Sequence, residues 1–178
     1  LVVNQKNKGW KKNFRDAILK VGTDVVFPCD QDDFWFEKKV EKMMEYMEIN
    51  NNCLLLASDY QLLHEDGVKN FERIKKQSYQ KVEKVEFDEH FAIGGIRPGC
   101  CMALRMQFVK QIAAQWLDWY PHDSFFWSEA VINGGCYLIH EDLITFRRHE
   151  NSASTKIRHT IKAHLEAMDR TKNIINYY

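Results

Sequence analysis

The sequence has no excess of charge of either sign, because 25 lysines and arginines are matched by 25 aspartates and glutamates. This balance leaves no basic footprint for nucleic acid, so we expect no nucleic-acid partner. No apolar run approaches the roughly 18 residues that a transmembrane helix needs. The five cysteines form neither a disulfide framework nor a CxxC metal motif, which predicts a protein of the reducing cytoplasm.

The chain does have the composition of a globular protein. Hydrophobic residues make up 45% of its 178 residues, and aromatic residues make up 13%. A chain of this length can bury a sizeable core. We therefore expect one domain that spans residues 1–178.

Helical and strand patterns alternate in the first third of the chain. WKKNFRDAILKVG and FEKKVEKMMEYMEI repeat apolar residues at helical spacing, and the second is expected to bury one face formed by Val40, Met43, Met44 and Met47. DVVFPC and CLLLASDYQLL are typical of buried strands. The alternation predicts an α/β fold with a mostly parallel central sheet flanked by helices. In such sheets ligands bind outside the carboxyl ends of the strands.

The remaining segments extend the same pattern. MQFVKQIAAQWLDW, HDSFFWSEAVINGG and the tail IRHTIKAHLEAMDRTKNIINYY predict helices, whereas CYLIH and LITFRRH predict two strands. The polar residues between 64 and 90 predict a surface excursion. LVVN at the start is typical of the end of a strand, so we expect the chain to lack the first strands of its sheet.

Three carboxylates crowd the stretch DQDD, which follows the strand DVVF. They belong to Asp30, Asp32 and Asp33. Like charges this close repel one another, so a positive group is expected nearby. The loop could bind a hard cation such as Mg²⁺, which takes one or two carboxylates together with substrate phosphates. The alternative is a solvated turn in which Asp32 or Asp33 caps the next helix.

Asp123 stands at the predicted start of a helix, in PHDSFFW. It could be an N-terminal cap, which the helix dipole favours and which is the commoner role for an aspartate at this position. It could also be a general base directed into a site. The spacing alone leaves both roles open.

Three further groups are candidates for substrate contacts. Arg147 and Arg148 end a strand, and arginine suits phosphate through its planar set of donors. His149 beside them could complete a metal sphere, or the three residues could be a basic patch that offsets acidic neighbours. Gly99 allows either a close approach of substrate or a tight turn. Cys100 and Cys101 are expected to be small buried residues rather than nucleophiles.

The order of these motifs carries more information than any one of them. NKGWKKNFRDAI is followed by CDQDDFW, SDYQLLHEDG, GCCMAL and HDSFFWSEAVINGGCYLIHEDLITFRRHENSAS. In this order the chain resembles a family 2 glycosyltransferase of the bacterial rhamnosyltransferase-like branch, over nearly its whole length up to about Ser154. The resemblance implies a GT-A fold, a nucleotide-diphosphate sugar donor, a divalent cation (Mg²⁺ or Mn²⁺) and inversion at the anomeric carbon.

The resemblance also implies roles for single residues. Asp32 is the expected direct ligand of the cation, with Asp30 as a metal or ribose contact and His149 reaching the metal or the diphosphate. Asp123 falls at the position of the base that deprotonates the acceptor hydroxyl. The residues expected to face the nucleotide sugar are Lys12, Asn13, Asp30, Asp33, Gly99, Arg147 and Arg148.

The implied function is synthesis of bacterial cell-surface polysaccharide, with a saccharide or lipid-linked saccharide as acceptor and peripheral association with the inner face of the cell membrane. Two rival functions stay open. One is a fragment that binds a sugar or a partner without turnover. The other is a metal-dependent phosphohydrolase, although the HxH spacing typical of such enzymes is missing from the sequence.

Overall fold

The computed structural model describes residues 2–64, 81–87 and 97–148, together with the isolated residues Asp169 and Lys172. Four α-helices lie within these ranges: α1 is Trp10–Ile18, α2 is Lys39–Ile49, α3 is Met106–Ile112 and α4 is His122–Ile132. Each lies inside a segment that the sequence predicts as helical. The predicted tail helix and most of the predicted surface excursion lie outside the described residues.

Six strands form one sheet. They are β1 (Val25–Val26), β2 (Phe34–Trp35), β3 (Leu55–His64), β4 (Val82–Lys84), β5 (Met102–Arg105) and β6 (Cys136–Arg148). Their order is β1-β5-β3-β6-β2, and β4 also pairs with β6. The predicted α/β class is confirmed. Within the described ranges, however, the sheet is mixed, because β3 and β6 form the one parallel pair and the other four pairs are antiparallel.

Two local expectations differ from the structure. β5 runs between β1 and β3 in the opposite direction, so the two strands expected to be parallel neighbours are separated. The two strands predicted at the C-terminal end are a single strand of 13 residues, β6. Its polar pair Glu141 and Asp142 lies where the register with β3 shifts around Asp59, so the strand continues through a bulge.

Helices cover both faces of the sheet. Successive residues of a strand point to opposite faces, and accordingly Leu55 and Ala57 pack with α3 and α4 while Leu56 packs with Met43 and Met47 of α2. A third buried cluster consists of Cys100, Cys101 and Ile144, with Trp35, Tyr60 and Phe146 packed against it. None of the helices in the described ranges is both long and apolar enough to cross a bilayer.

Candidate active site

The acidic loop, residues 27–33, connects β1 to β2. Carboxylate oxygens of Asp30 and Asp33 and the thiol of Cys100 lie within 4.8 Å of one another. The backbone N–H of Arg147 donates a 3.0 Å hydrogen bond to Asp33 Oδ1. This bond ties the acidic loop to the C-terminal end of β6, so the two motifs that the sequence singled out meet in space.

The carboxyl groups of the acidic loop are crowded and partly desolvated. Burial, together with the charges of Asp33, Asp32 and Asp123, raises the pKa of Asp30 to about 6. Burial also raises the pKa of Asp33, against the opposing effects of hydrogen bonds from the Cys100 thiol and the Arg147 N–H. Desolvation and mutual repulsion therefore make the ionised carboxylates unfavourable, and a bound cation would offset this free-energy cost.

Cys100 is a hydrogen-bond donor in this site rather than a thiolate. Its hydrogen bond with Cys101 and its burial raise the pKa of the Cys100 thiol far above the ordinary range. Since a cysteine ligates a metal as the thiolate, the ligand set at neutral pH reduces to carboxylate oxygens. The five cysteines are all free, in agreement with the sequence.

The carboxylate pair fits a hard divalent cation. Asp30 and Asp33 are half-buried and converge, and Mg²⁺ and Mn²⁺ prefer oxygen ligands. The group of converging ligand atoms does not contain Asp32, whose assignment as the direct ligand stays a prediction. His149, the third expected ligand, lies outside the described residues.

Asp123 is the second residue of α4 and lies within electrostatic reach of the acidic loop. Its Oδ1 accepts a 2.8 Å hydrogen bond from the N–H of Ser124, and its charge is among those that raise the pKa of Asp30. The N-cap position itself is occupied by Pro121, with no side-chain cap. Asp123 thus satisfies one N–H of the first turn, and its negative charge also acts on the acidic loop.

Gly99 lies against the imidazole of His122, the residue before Asp123. A Cβ atom at position 99 would overlap His122 Nε2 and would lie 2.9 Å from its Cδ2. The ring is 5% exposed and stacks on Phe14 with centroids 4.3 Å apart. Burial lowers the pKa of His122, so the ring is neutral. Glycine at position 99 therefore makes room for a neutral imidazole that fixes the first turn of α4.

We expect Gly99→Ala to displace the His122 ring and to lower both stability and any activity that depends on Asp123. Overpacking of a filled core costs about 1–3 kcal/mol. Gly22→Ala is the matched control, because a Cβ at position 22 meets nothing within 4 Å. Denaturant unfolding of both variants measures the difference. Adding His122→Ala to Gly99→Ala should recover part of the loss, and equal losses in the two glycine variants would contradict this account.

The remaining predicted contact residues form two groups. Lys12 Nζ lies 3.6 Å from a carboxylate oxygen of Asp118, and Asn13 accepts a 2.7 Å hydrogen bond from Asn4. Asn13 also lines an open groove of about 340 Å³ together with Asn4, Lys6, Asn7, Lys8, Gly9 and Trp10. Arg148 lies near the ring of Phe146, with its guanidinium carbon 5.8 Å from the ring centroid. Their roles toward a nucleotide sugar stay predictions.

Three buried charged residues near the site, Lys39, Asp59 and Arg97, were missed in the sequence. Lys39, the first residue of α2, is 0% exposed. It stands four and eight residues before Met43 and Met47, and this spacing could have placed it on their buried face. Val40, predicted to be buried, is 43% exposed instead.

The second missed charge is Asp59 in β3. Arg97 donates to Asp59 Oδ1 from Nη2 at 2.6 Å and from Nε at 3.2 Å, and both residues are buried. A carboxylate inside the apolar run CLLLASDY signals a buried partner, because an unpaired buried charge is costly. This pair anchors the start of the segment that carries Gly99 and Cys100.

Comparison with known proteins identifies the family of the chain independently of the site geometry. The family model described as glycosyl transferase family 2 matches residues 1–113. The chain is 31% identical to the dTDP-rhamnosyl transferase RfbG of Shigella flexneri over 158 residues, which cover 81% of the chain and 50% of that protein. It is 25% identical over 149 residues to an uncharacterized glycosyltransferase of Methanocaldococcus jannaschii, covering 82% of the chain and 49% of that protein.

A more distant similarity extends over more of the chain. An uncharacterized protein of Mycobacterium tuberculosis is 24% identical over 181 residues, which cover 94% of the chain and 50% of that protein. The chain thus spans about half the length of the curated relatives it matches.

Proposed function

Because the chain belongs to glycosyltransferase family 2, we propose that it transfers a sugar from a nucleotide-diphosphate donor to a hydroxyl group of a saccharide or lipid-linked saccharide. The proposal includes inversion at the anomeric carbon and a role in bacterial cell-surface polysaccharide synthesis at the inner face of the cell membrane. The similarity to a dTDP-rhamnosyl transferase makes dTDP-rhamnose the first donor to test.

The observation that carries this proposal is the meeting of carboxylates from distant parts of the chain. Asp30 and Asp33 converge in the acidic loop. Asp123, roughly ninety residues later, is near enough for its charge to raise the pKa of Asp30. In a transferase that uses a cation and a base, carboxylates around one donor can serve both tasks.

In the proposed reaction each residue has a separate task. Asp30, with Asp32 or Asp33 and with His149, would hold Mg²⁺ or Mn²⁺. Such a cation, when bound, is a Lewis acid that stabilises the charge developing on the departing nucleotide diphosphate. Asp123 would take the proton of the acceptor hydroxyl. Nucleotide and phosphate contacts would come from Lys12, Asn13, Arg147 and Arg148.

Turnover of a panel of nucleotide sugars tests the proposal. The purified protein is incubated with each donor and with saccharide acceptors, in Mn²⁺ or in EDTA, and products are identified by mass spectrometry. We expect glycosylated acceptor and free nucleoside diphosphate to form in the presence of Mn²⁺ and not in EDTA. Donor binding without turnover would favour a non-catalytic sugar-binding function, and release of nucleoside monophosphate would favour a phosphohydrolase.

The raised pKa of Asp30 predicts opposite effects of pH on the cation-free and cation-bound protein. A carboxyl whose pKa is raised by folding stabilises the protein at low pH, and this stability is lost as the pH rises through about 6. Without cation, stability should therefore fall as the pH increases through this range. Mn²⁺ affinity should rise over the same range, because the cation needs ionised Asp30.

Thermal melts in EDTA and in Mn²⁺, between about pH 5 and about pH 7.5, measure both trends. Asp30→Asn is the control, since it removes the titrating group. It should reduce the pH dependence both of the stability in EDTA and of the Mn²⁺ stabilisation. A Mn²⁺ stabilisation of equal size across this range would contradict the assignment of Asp30 to the cation site.

A further inference from the structure

Lys39 occupies an unusual environment beneath the acidic loop. Its side chain is completely buried, and its Nζ donates a hydrogen bond to the carbonyl of Cys100. The same Nζ lies 3.8 Å from the centroid of the Trp35 ring, in cation–π geometry. Cys100 belongs to the third buried cluster and Trp35 packs against that cluster, so Lys39 directs its charge toward the floor of the site.

This placement is unfavourable for stability in two ways. Lysine is almost never fully buried unless it is paired, because desolvation of an ammonium group costs several kcal/mol. Lys39 is also the first residue of α2, where the positive end of the helix dipole disfavours a cation. Met43, one turn later, shows that an unbranched apolar side chain packs on the same face. Packing alone therefore does not account for a lysine at this position.

The negative charge that this lysine meets comes from the acidic loop. Burial lowers the pKa of Lys39, and Asp33 is the carboxylate among the described residues whose charge opposes this lowering. The charge of Lys39 in turn opposes the rise in the pKa of Asp33 and of Cys29, at the two ends of the loop's polar part. The Cys100 carbonyl that Lys39 holds belongs to the residue whose thiol faces Asp30 and Asp33. One buried ammonium group thus contacts the segment under the carboxylates and acts on the charge of Asp33.

Building on the cation binding proposed above, we propose that Lys39 is a positioning residue that acts as a resident counter-ion of the acidic loop. Its ammonium group offsets the charge of the carboxylates before a divalent cation binds, and it weakens their attraction for that cation afterwards. The side chain belongs to the apparatus that sets cation affinity, although it ligates nothing.

The direction in which cation affinity changes when Lys39 is replaced distinguishes a counter-ion from a purely structural residue. Two positive charges in one site repel each other, so removal of the Lys39 charge should tighten cation binding. If Lys39 only held the fold together, its removal would disorder the loop and weaken cation binding. Lys39→Met and Lys39→Gln both remove the charge, Lys39→Gln keeps a donor for the Cys100 carbonyl, and Lys39→Arg keeps the charge.

The test is Mn²⁺ binding measured by electron paramagnetic resonance at about pH 8, where Asp30 is ionised, without any donor. We expect Lys39→Met and Lys39→Gln to bind Mn²⁺ about tenfold more tightly than the unmodified protein, and Lys39→Arg to bind it within about twofold. Met43→Leu, a buried change on the same helix face, should leave affinity unchanged. Thermal melts should show a larger Mn²⁺ stabilisation for the two charge-removing variants.

Each outcome either supports or overturns the counter-ion role of Lys39. Unchanged or weaker Mn²⁺ binding in Lys39→Gln overturns the counter-ion role, and so does tighter binding in Lys39→Arg. If Lys39→Met does not fold, Lys39→Gln and Lys39→Arg still give this comparison. Absence of Mn²⁺ binding in every form overturns both this role and the proposed cation. Tighter binding in the charge-removing variants without any sugar transfer supports Lys39 and counts against the transferase alone.

Discussion

Asp123→Asn should lower the rate of sugar transfer by about 10²–10⁴-fold, the usual loss when a general base is removed. Asn can still accept the hydrogen bond that Asp123 Oδ1 receives from the Ser124 N–H, and it serves a helix start about as well as Asp. The fold should therefore persist. Donor affinity and Mn²⁺ affinity should stay within a few-fold, because the acidic loop keeps its carboxylates.

The matched control for this change is Asp118→Asn. Asp118 is an exposed carboxylate that pairs with Lys12 and Arg15, and exposed ion pairs contribute little to stability. Transfer rate, donor affinity and melting temperature are compared for the two variants. Transfer by Asp123→Asn at the rate of Asp118→Asn would return Asp123 to a role at the helix start and leave the base unassigned.

Asp30→Asn and Asp33→Asn should each weaken Mn²⁺ binding by about 100-fold or more, since even the loss of a partner that only supports a metal ligand costs about 10–100-fold. In EDTA Asp30→Asn should be as stable as the unmodified protein or more stable, because burial disfavours this carboxylate in its charged form. Asn at position 33 can still accept the Arg147 N–H. Weaker binding without loss of stability distinguishes a ligand from a structural residue.

Asp32→Asn decides between two assignments of the cation site. The resemblance to family 2 implies that Asp32 is the direct ligand, whereas Asp30 and Asp33 are the carboxylates that converge. Calorimetric titration with Mn²⁺ ranks the three variants. A loss in Asp32→Asn as large as in Asp30→Asn would place Asp32 in the cation sphere, and normal binding by Asp33→Asn would remove Asp33 from it.

Local patterns predicted the helices of the described ranges because each contains apolar residues at helical spacing, and in α4 these lie on nearly every side. The pairing of the strands depends on tertiary contacts, and the sequence did not reveal it. β5 is as apolar as a parallel strand would be, and nothing in MALR indicates that it runs antiparallel between β1 and β3. The α/β class was therefore predictable, and the mixed character of the sheet was not.

The candidate site, like the fold, could be predicted from the sequence only in part. The sequence placed the acidic loop and Arg147 each at the end of a strand, and in the structure Asp33 accepts a hydrogen bond from the Arg147 N–H. The role of Gly99 depends on a single imidazole from a helix that starts over twenty residues later. The burial of Lys39 depends on Trp35 and the Cys100 carbonyl. A lysine between charged neighbours is typical of a solvated face, and only its spacing from Met43 and Met47 pointed to a buried position.

The position of β6 has a consequence for how the protein is made. β6 pairs with β2, β3 and β4, and its partners in β3 lie roughly eighty residues earlier in the chain. Such non-local parallel pairing forms slowly. A ribosome that adds about 5–20 residues per second delivers the acidic loop well before the strand that anchors it. The nascent chain therefore carries uncovered strand edges and three unanchored aspartates for several seconds, an interval in which chaperones can engage it.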